Sequence, residues 1–273
     1  MIQTERKSPK PAKALADIVL ITFDALRYDV AEAAYRAGQT PFLASLLPQG
    51  WEPRHTPGNF TYAAHAAFFA GFWPTPVTAS DHVRPFALRF PGSRTIGDAT
   101  LSLSGDNIVT GLRLLGYSTI CIGGVGFFNK LTPLGSVFPA LFEESHWRPG
   151  FSVAELHSTR AQVAAGCDCL AAAGVDQPLF LFLNISATHP PTHAYVRGAK
   201  HDSVETQAAA LAYVDRQLPP LFAALGARGR DGSAYLMADH GTLFGEDGLT
   251  GHRISHPAVW TVPYGEYQWE AAP

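Results

Sequence analysis

Thr61 and His65 open the run TYAAHAAFFAG (61–71), in which nearly every other residue is small or aromatic. They stand four residues apart, so a helix over 61–70 puts both on one face. A helix N-terminus offers free backbone N–H groups and partial positive charge, which favour an anion such as phosphate or sulfate. A hydroxyl placed there beside a cation ionises more readily and can attack phosphorus or sulfur. The plainer roles are an N-cap for Thr61 and a half-buried imidazole with a backbone partner for His65.

Other groups of this kind recur where apolar runs end. Asp24 closes DIVLITF (17–23), and Asp239-His240 close SAYLMAD (233–239). His189 and His193 follow PLFLFLNIS (178–186) in SATHPPTH, and His252 lies in the glycine-rich GEDGLTGHRISH. Carboxylate oxygens and imidazole suit Zn²⁺ or Mn²⁺, with Mg²⁺ also compatible. A lone Asp after a strand is commonly a turn or cap residue. Their shared position at strand ends is what points to a site, because the carboxyl ends of strands collect the chemistry of open parallel sheets.

The elements that would position these groups alternate along the chain. The continuous apolar runs at 17–23 and 178–186, with 233–239, read as buried strands. TPFLASLLP (40–48) reads as a short helix with Thr40 as N-cap and Pro41 at its first position. DNIVTGLRLLGY (106–117) has helical spacing and leads into the strand STICIGGV; residues 158–174 read as a helix. Residues 203–226 read as one long helix bent at Pro219-Pro220. The proline- and arginine-rich stretch 75–100 reads as an excursion. Alternating strands and helices imply an α/β fold, a mostly parallel sheet with helices on both faces.

Bulk properties narrow the function. With 47% hydrophobic residues in 273, a large core is expected and global disorder is not. A net charge of −3 without a basic patch argues against nucleic acid as a partner. Cys121, Cys167 and Cys169 are an odd set and read as free thiols rather than a disulfide framework. Residues 1–15 read as a polar tail before a single catalytic domain over 16–273. The apolar run behind the tail is too short for a signal sequence, and no stretch approaches the roughly 20 apolar residues that span a bilayer. The expectation is a cytoplasmic protein without a membrane partner.

Four stretches in order, VLITFDALRYD, TPFLASLL, TYAAHAAFFAG and MADHGTLFGEDG, resemble the alkaline phosphatase superfamily, closest to its sulfatase-like branch. The resemblance runs from about residue 17 to about residue 256 and is to short, core-only bacterial members. It implies an alkaline-phosphatase-like three-layer sandwich. It also implies metal ligands at Asp24, Asp239 and His240, a nucleophile at Thr61, and a histidine of an H-x-P motif at His189. Departures from the pattern are informative. Sulfatases carry cysteine or serine where Thr61 stands, and that residue becomes formylglycine, which threonine cannot by that route. His65 stands where they carry arginine, and Asp24-Ala25 replaces a paired Asp-Asp. The family's usual C-terminal subdomain is nearly missing.

These readings converge on a metal-dependent hydrolase of phosphate esters (a diester, phosphonate or small monoester) working through a Thr61 phospho-enzyme. One or two divalent ions are expected, Zn or Mn first, with Mg or Ca as alternatives. Asp24, Asp239, His240 and Thr61 would hold the first, and His189, His193 and His252 a second. His65, His189 or His252 would protonate the leaving group. The partner is a small-molecule phosphoester, and an oligomer is open. Alternatives are transfer to an acceptor other than water, sulfuric ester hydrolysis, and a non-catalytic metal-stabilised scaffold.

Overall fold

The computed structural model describes residues 15–71 and 107–271. The tail expected over 1–15, apart from its last residue, and the excursion expected over 75–100 lie outside the described residues.

In chain order the elements are β1 (Asp17–Phe23), α1 (Tyr28–Arg36), α2 (Pro41–Leu46), β2 (Glu52–His55), α3 (Thr61–Ala70), α4 (Ile108–Leu114), β3 (Ser118–Ile122) and β4 (Glu144–His146). They continue with α5 (Ser158–Ala172), β5 (Leu179–Ile185), α6 (Val204–Gln217), α7 (Pro219–Gly226), β6 (Gly232–Ala238), β7 (Leu243–Phe244), β8 (Thr250–Gly251), α8 (Pro257–Trp260) and β9 (Thr261–Trp269). Seven strands form one sheet in the order β2-β9-β6-β1-β5-β3-β4, and β7 pairs with β8 alone. Within the large sheet β1, β3, β4, β5 and β6 run parallel to one another, and β9 is antiparallel to both β6 and β2.

Successive side chains of a strand point to opposite faces, and the two faces here have different cores. Val19, Ile21 and Phe23 of β1 join Leu179, Leu181, Leu183 and Ile185 of β5 under α1, α2 and α5–α7. On the other face Ile18 and Leu20 lie with Phe180 and Phe182 against α3, α4 and an aromatic cluster with Phe128, Phe138 and Phe142. That alternation decides where the chemistry points. Thr22 and Asp24 continue the even-numbered row of β1 and Asn184 that of β5, so all three face α3. The parallel register of β1 with β6 ends at Phe23↔Ala238, which brings Asp24 and Asp239 side by side just past it.

Local details depart from the sequence reading. Thr40 makes no side-chain cap; instead the buried Asp215 of α6 accepts from the amides of Phe42 (3.2 Å) and Leu43 (2.7 Å) at the start of α2. The helix expected over 203–226 is two, broken at Leu218 before Pro219, where a proline removes the N–H needed to continue. Sequence reasoning missed α1, the short strands β2 and β4, and the nine-residue β9. In β9, Pro263 sits opposite Pro53 of β2, and the ladder with β6 begins only at Tyr264. Neither proline is asked to donate a ladder hydrogen bond, so a sequence that looks unlike a strand becomes one.

Candidate active site

Thr61 is the first residue of α3, not its cap. The N-cap is Phe60, without a side-chain cap bond. The Thr61 hydroxyl turns instead toward the sheet, 3.3 Å from His240 Nε2 and 3.5 Å from Asp24 Oδ2. Among the described residues no side chain caps α3, and uncapped first-turn amides are where an anion binds. Gly58 makes this approach possible: a Cβ there would lie 2.4 Å from the backbone nitrogen of Ala64.

Asp24, Asp239 and His240 are fully buried, and a ligand atom from each lies within 4.8 Å of the others. One oxygen of each carboxylate is well served. Asp24 Oδ2 accepts from Asn184 Nδ2 at 3.0 Å; Asp239 Oδ1 accepts from the amides of Ala25 (3.1 Å) and His240 (3.0 Å). The other oxygens, Asp24 Oδ1 and Asp239 Oδ2, have no hydrogen-bond donor among the described residues. They lie 3.9 and 3.5 Å from His240 Nε2. That nitrogen cannot serve them. His240 Nδ1 is 2.8 Å from the Gly241 carbonyl, which only accepts, so Nδ1 carries the proton and Nε2 a lone pair. Burial holds the ring neutral. Two carboxylate oxygens and one imidazole lone pair thus converge, and a divalent cation fits this donor set once the acids are ionised. Burial raises both carboxyls, Asp24 to about 6 with the Asp239 charge adding, and Asp239 to about 7. This is what two buried acids do when no cation balances them.

The surrounding residues fix this geometry. Ala25 takes a left-handed φ of 59°, which turns its amide to Asp239. Its carbonyl accepts from Gln207 Nε2 at 2.9 Å. The Thr188 hydroxyl donates to the Asp24 carbonyl at 2.8 Å, and the Thr56 hydroxyl to that of Asp239. Gly241 packs where a Cβ would meet the Ala258 carbonyl oxygen at 1.9 Å. None of these supports was read from the sequence. Thr22 and Asn184 did leave a signal, since a polar side chain inside a fully apolar strand needs a buried partner.

The histidines divide. His189 Nε2 lies 4.0 Å from Asp24 Oδ1, and its Nδ1 is tied to the Pro190 carbonyl. The His252 ring stands 4.5 Å from that of His240 and 5.6 Å from that of His189. It is pushed down to about 3 by burial, with His240, His189 and Arg253 adding. These two therefore flank the aspartates. His193 pairs with Asp202: its Nδ1 is 3.0 Å from Asp202 Oδ1, and its amide donates to the same oxygen at 2.8 Å, which leaves Nε2 for another partner. Of the second-ion set expected from His189, His193 and His252, the structure brings the rings of His189 and His252 together.

His65 is corrected as well. It is fully buried, with Nδ1 2.8 Å from the Thr61 carbonyl and Nε2 3.0 Å from the Thr22 hydroxyl. Phe68, Phe69, Phe128, Phe138 and Phe182 ring it, and burial pushes it down to about 3. An imidazole with both nitrogens engaged and no path to solvent is no proton donor to a leaving group. It is a positioning residue that ties the first turn of α3 to β1.

Fold and site together define an α/β protein of the alkaline-phosphatase-like kind, with its chemistry at the carboxyl edge of a mainly parallel sheet. The chain matches the Sulfatase family over residues 16–264 and belongs to it. No curated protein sequence gives a significant match. Among solved structures it is similar to the C-terminal periplasmic domain of the phosphoethanolamine transferase EptC from Campylobacter jejuni, at 13% identity. That match covers 93% of this chain and 80% of that one with a TM-score of 0.63. The corresponding EptC domain from Escherichia coli, in complex with Zn, matches at 13% identity over 95% of this chain and 74% of that one, TM-score 0.65. A protein of the alkaline phosphatase superfamily from Vibrio parahaemolyticus matches at 18% identity over 95% of this chain and 61% of that one, TM-score 0.58. At such identities the likeness establishes the fold.

Proposed function

We propose that the chain is a metal-dependent phosphoester hydrolase in which Thr61 is the nucleophile. The observation that carries the proposal is the Thr61 hydroxyl at a helix N-terminus, beside two buried carboxylates that each keep an unserved oxygen. A divalent cation held by Asp24, Asp239 and His240 would supply positive charge that lowers the hydroxyl's pKa and offsets charge on the substrate's oxygens. Zinc is the first candidate for this borderline donor set. The amides at the head of α3 donate to the non-bridging oxygens and align phosphorus with Thr61 Oγ1. Attack forms the Oγ1–P bond as the bond to the leaving oxygen breaks. The hydroxyl proton passes to solvent; His189, partly open to solvent with Nδ1 tied to the Pro190 carbonyl, relays a solvent proton through Nε2 to the leaving oxygen, and His252 lines the same side. Water then attacks phosphorus and frees Thr61.

Transfer to an alcohol is the second reading. Its support is the C. jejuni domain among the structural neighbours, which bears the name phosphoethanolamine transferase. Sulfuric ester hydrolysis has the family name behind it, while a threonine at position 61 stands against it. The non-catalytic scaffold reading leaves the unserved carboxylate oxygens without a purpose. A cytoplasmic location rests on the free thiols alone. Two neighbours are periplasmic domains, and among the described residues no helix is long and apolar enough to cross a membrane.

The test is a panel of nitrophenyl phosphate mono- and diesters, phosphonates and sulfates, run with and without chelation and with alcohol acceptors. Turnover of phosphoesters that stops on metal removal and returns with zinc or manganese is expected. A preparation shown to be metal-free yet fully active overturns the proposal, as does turnover of sulfate esters alone. Alkylated phosphate as the main product selects transfer.

A further inference from the structure

A second group of metal-ligating side chains lies at the far edge of the sheet. Strand β4 is the edge strand beyond β3, three strands from β1, or about 14 Å at ordinary strand spacing. Its Glu144 and His146 are two residues apart and so project to one face. Cys169 of α5 meets them there. His146 Nε2 lies 2.5 Å from Glu144 Oε1 and 3.3 Å from Cys169 Sγ, and Sγ lies 3.7 Å from Glu144 Oε1.

The arrangement is a convergence, not a relay. In a cysteine–histidine–carboxylate relay the acid holds one ring nitrogen and the thiol faces the other. Here thiol and carboxylate approach the same nitrogen, as ligands do around a shared centre. Tetrahedral zinc with ordinary bond lengths separates S from N by about 3.5 Å, S from O by about 3.6 Å and N from O by about 3.3 Å. The first two edges match. The third needs Glu144, an exposed side chain, to move by under about 1 Å.

We propose that Glu144, His146 and Cys169 form a second divalent-metal site, selective for zinc-class ions, separate from the Asp24–Asp239–His240 centre. The donors are those such ions prefer: thiolate, imidazole and one carboxylate. The free Cys169 thiol carries its proton until an ion binds. Binding displaces that proton to solvent as the S–metal bond forms. The site opens onto a groove of about 710 Å³ that also includes Lys130, Arg148 and Asp168. That leaves an entry path and room for water at the fourth position. The carboxylate of Glu143 accepts from the Thr119 amide at 3.1 Å, which helps pin β4 in register beside β3.

Cobalt(II) titration of the metal-depleted full chain tests this, read by the near-ultraviolet sulfur-to-cobalt charge-transfer band. The band is expected to saturate in the parent chain and to persist in Cys167→Ser and in Asp239→Ala. It is expected to vanish in Cys169→Ser and to need at least about tenfold more cobalt in His146→Ala and Glu144→Ala, both solvent-accessible positions that leave the core intact. Zinc should release the bound cobalt, and either ion added to metal-depleted Asp239→Ala should release about one proton per ion bound in weak buffer. Absence of the band at saturating cobalt overturns the proposal. So does a band that survives Cys169→Ser, or one indifferent to both His146→Ala and Glu144→Ala. The readout involves no turnover, so it stands or falls apart from the phosphoester reading.

Discussion

Asp24 and Asp239 are the residues whose behaviour most distinguishes a metal site from a buried polar knot. In metal-free protein their carboxyls keep protons up to about pH 6 and 7, against an ordinary value of 3.8 in the unfolded chain. The folded state therefore binds more protons across that window, and stability falls as pH rises through it. The contribution is complete below about 4 and gone above about 7. Chelated protein should be more stable at pH 5 than at pH 8, by about 1.4 kcal/mol for each pH unit by which a carboxyl's folded-state value exceeds 5. Added zinc should reverse the order, because a cation favours the ionised acids. The Asp24→Asn, Asp239→Asn variant serves as reference in the same thermal melts, and a parent chain that shares its pH trend removes the argument. His65 gives a second residue-level test. His65→Ala strips partners from the Thr22 hydroxyl and the Thr61 carbonyl and leaves a void. We expect a loss of about 2–4 kcal/mol in denaturant melts, with kcat lowered and KM held.

Elements position these residues through contacts that the sequence shows only in part. The strand ends at Asp24 and Asp239 were legible because continuous apolar runs stop there abruptly. The head of α3 was legible because Thr61 and His65 break an apolar pattern. The roles within α3 were not, since spacing alone cannot tell a cap from a nucleophile or a buried imidazole from an exposed one. The Asp202 partner of His193 was not legible for the same reason, since it is supplied by the following loop. At α2 the cap came from the sequence-distant Asp215, which no local rule finds. Asp215→Ala should therefore cost about 1–3 kcal/mol by stranding two amides, whereas Thr40→Ala, whose hydroxyl has no partner among the described residues, should cost less. Denaturant melts that rank them the other way would restore Thr40 as the cap. Gly58→Ala should displace the first turn of α3 and lower kcat while leaving metal content unchanged.

At the scale of the molecule, the parallel core β6-β1-β5-β3 follows from strands that alternate with helices, and it was readable as such. The edges were not. Strand β9 contains a proline and a glycine, and β2 and β4 are only four and three residues long, so none carries a periodic signal. What the edges contribute is still substantial: β9 and β2 extend the sheet beside β6, and β4 carries Glu144 and His146. A threonine hydroxyl, two aspartates and a histidine from three chain regions thus meet around one point at the sheet's carboxyl edge. The direct measurement is kcat/KM of Thr61→Ala against the parent chain on the best phosphoester, with bound metal quantified in the same samples. Turnover should fall by at least about 10³-fold with metal content unchanged. Activity within about tenfold of the parent, at equal metal content, would contradict it.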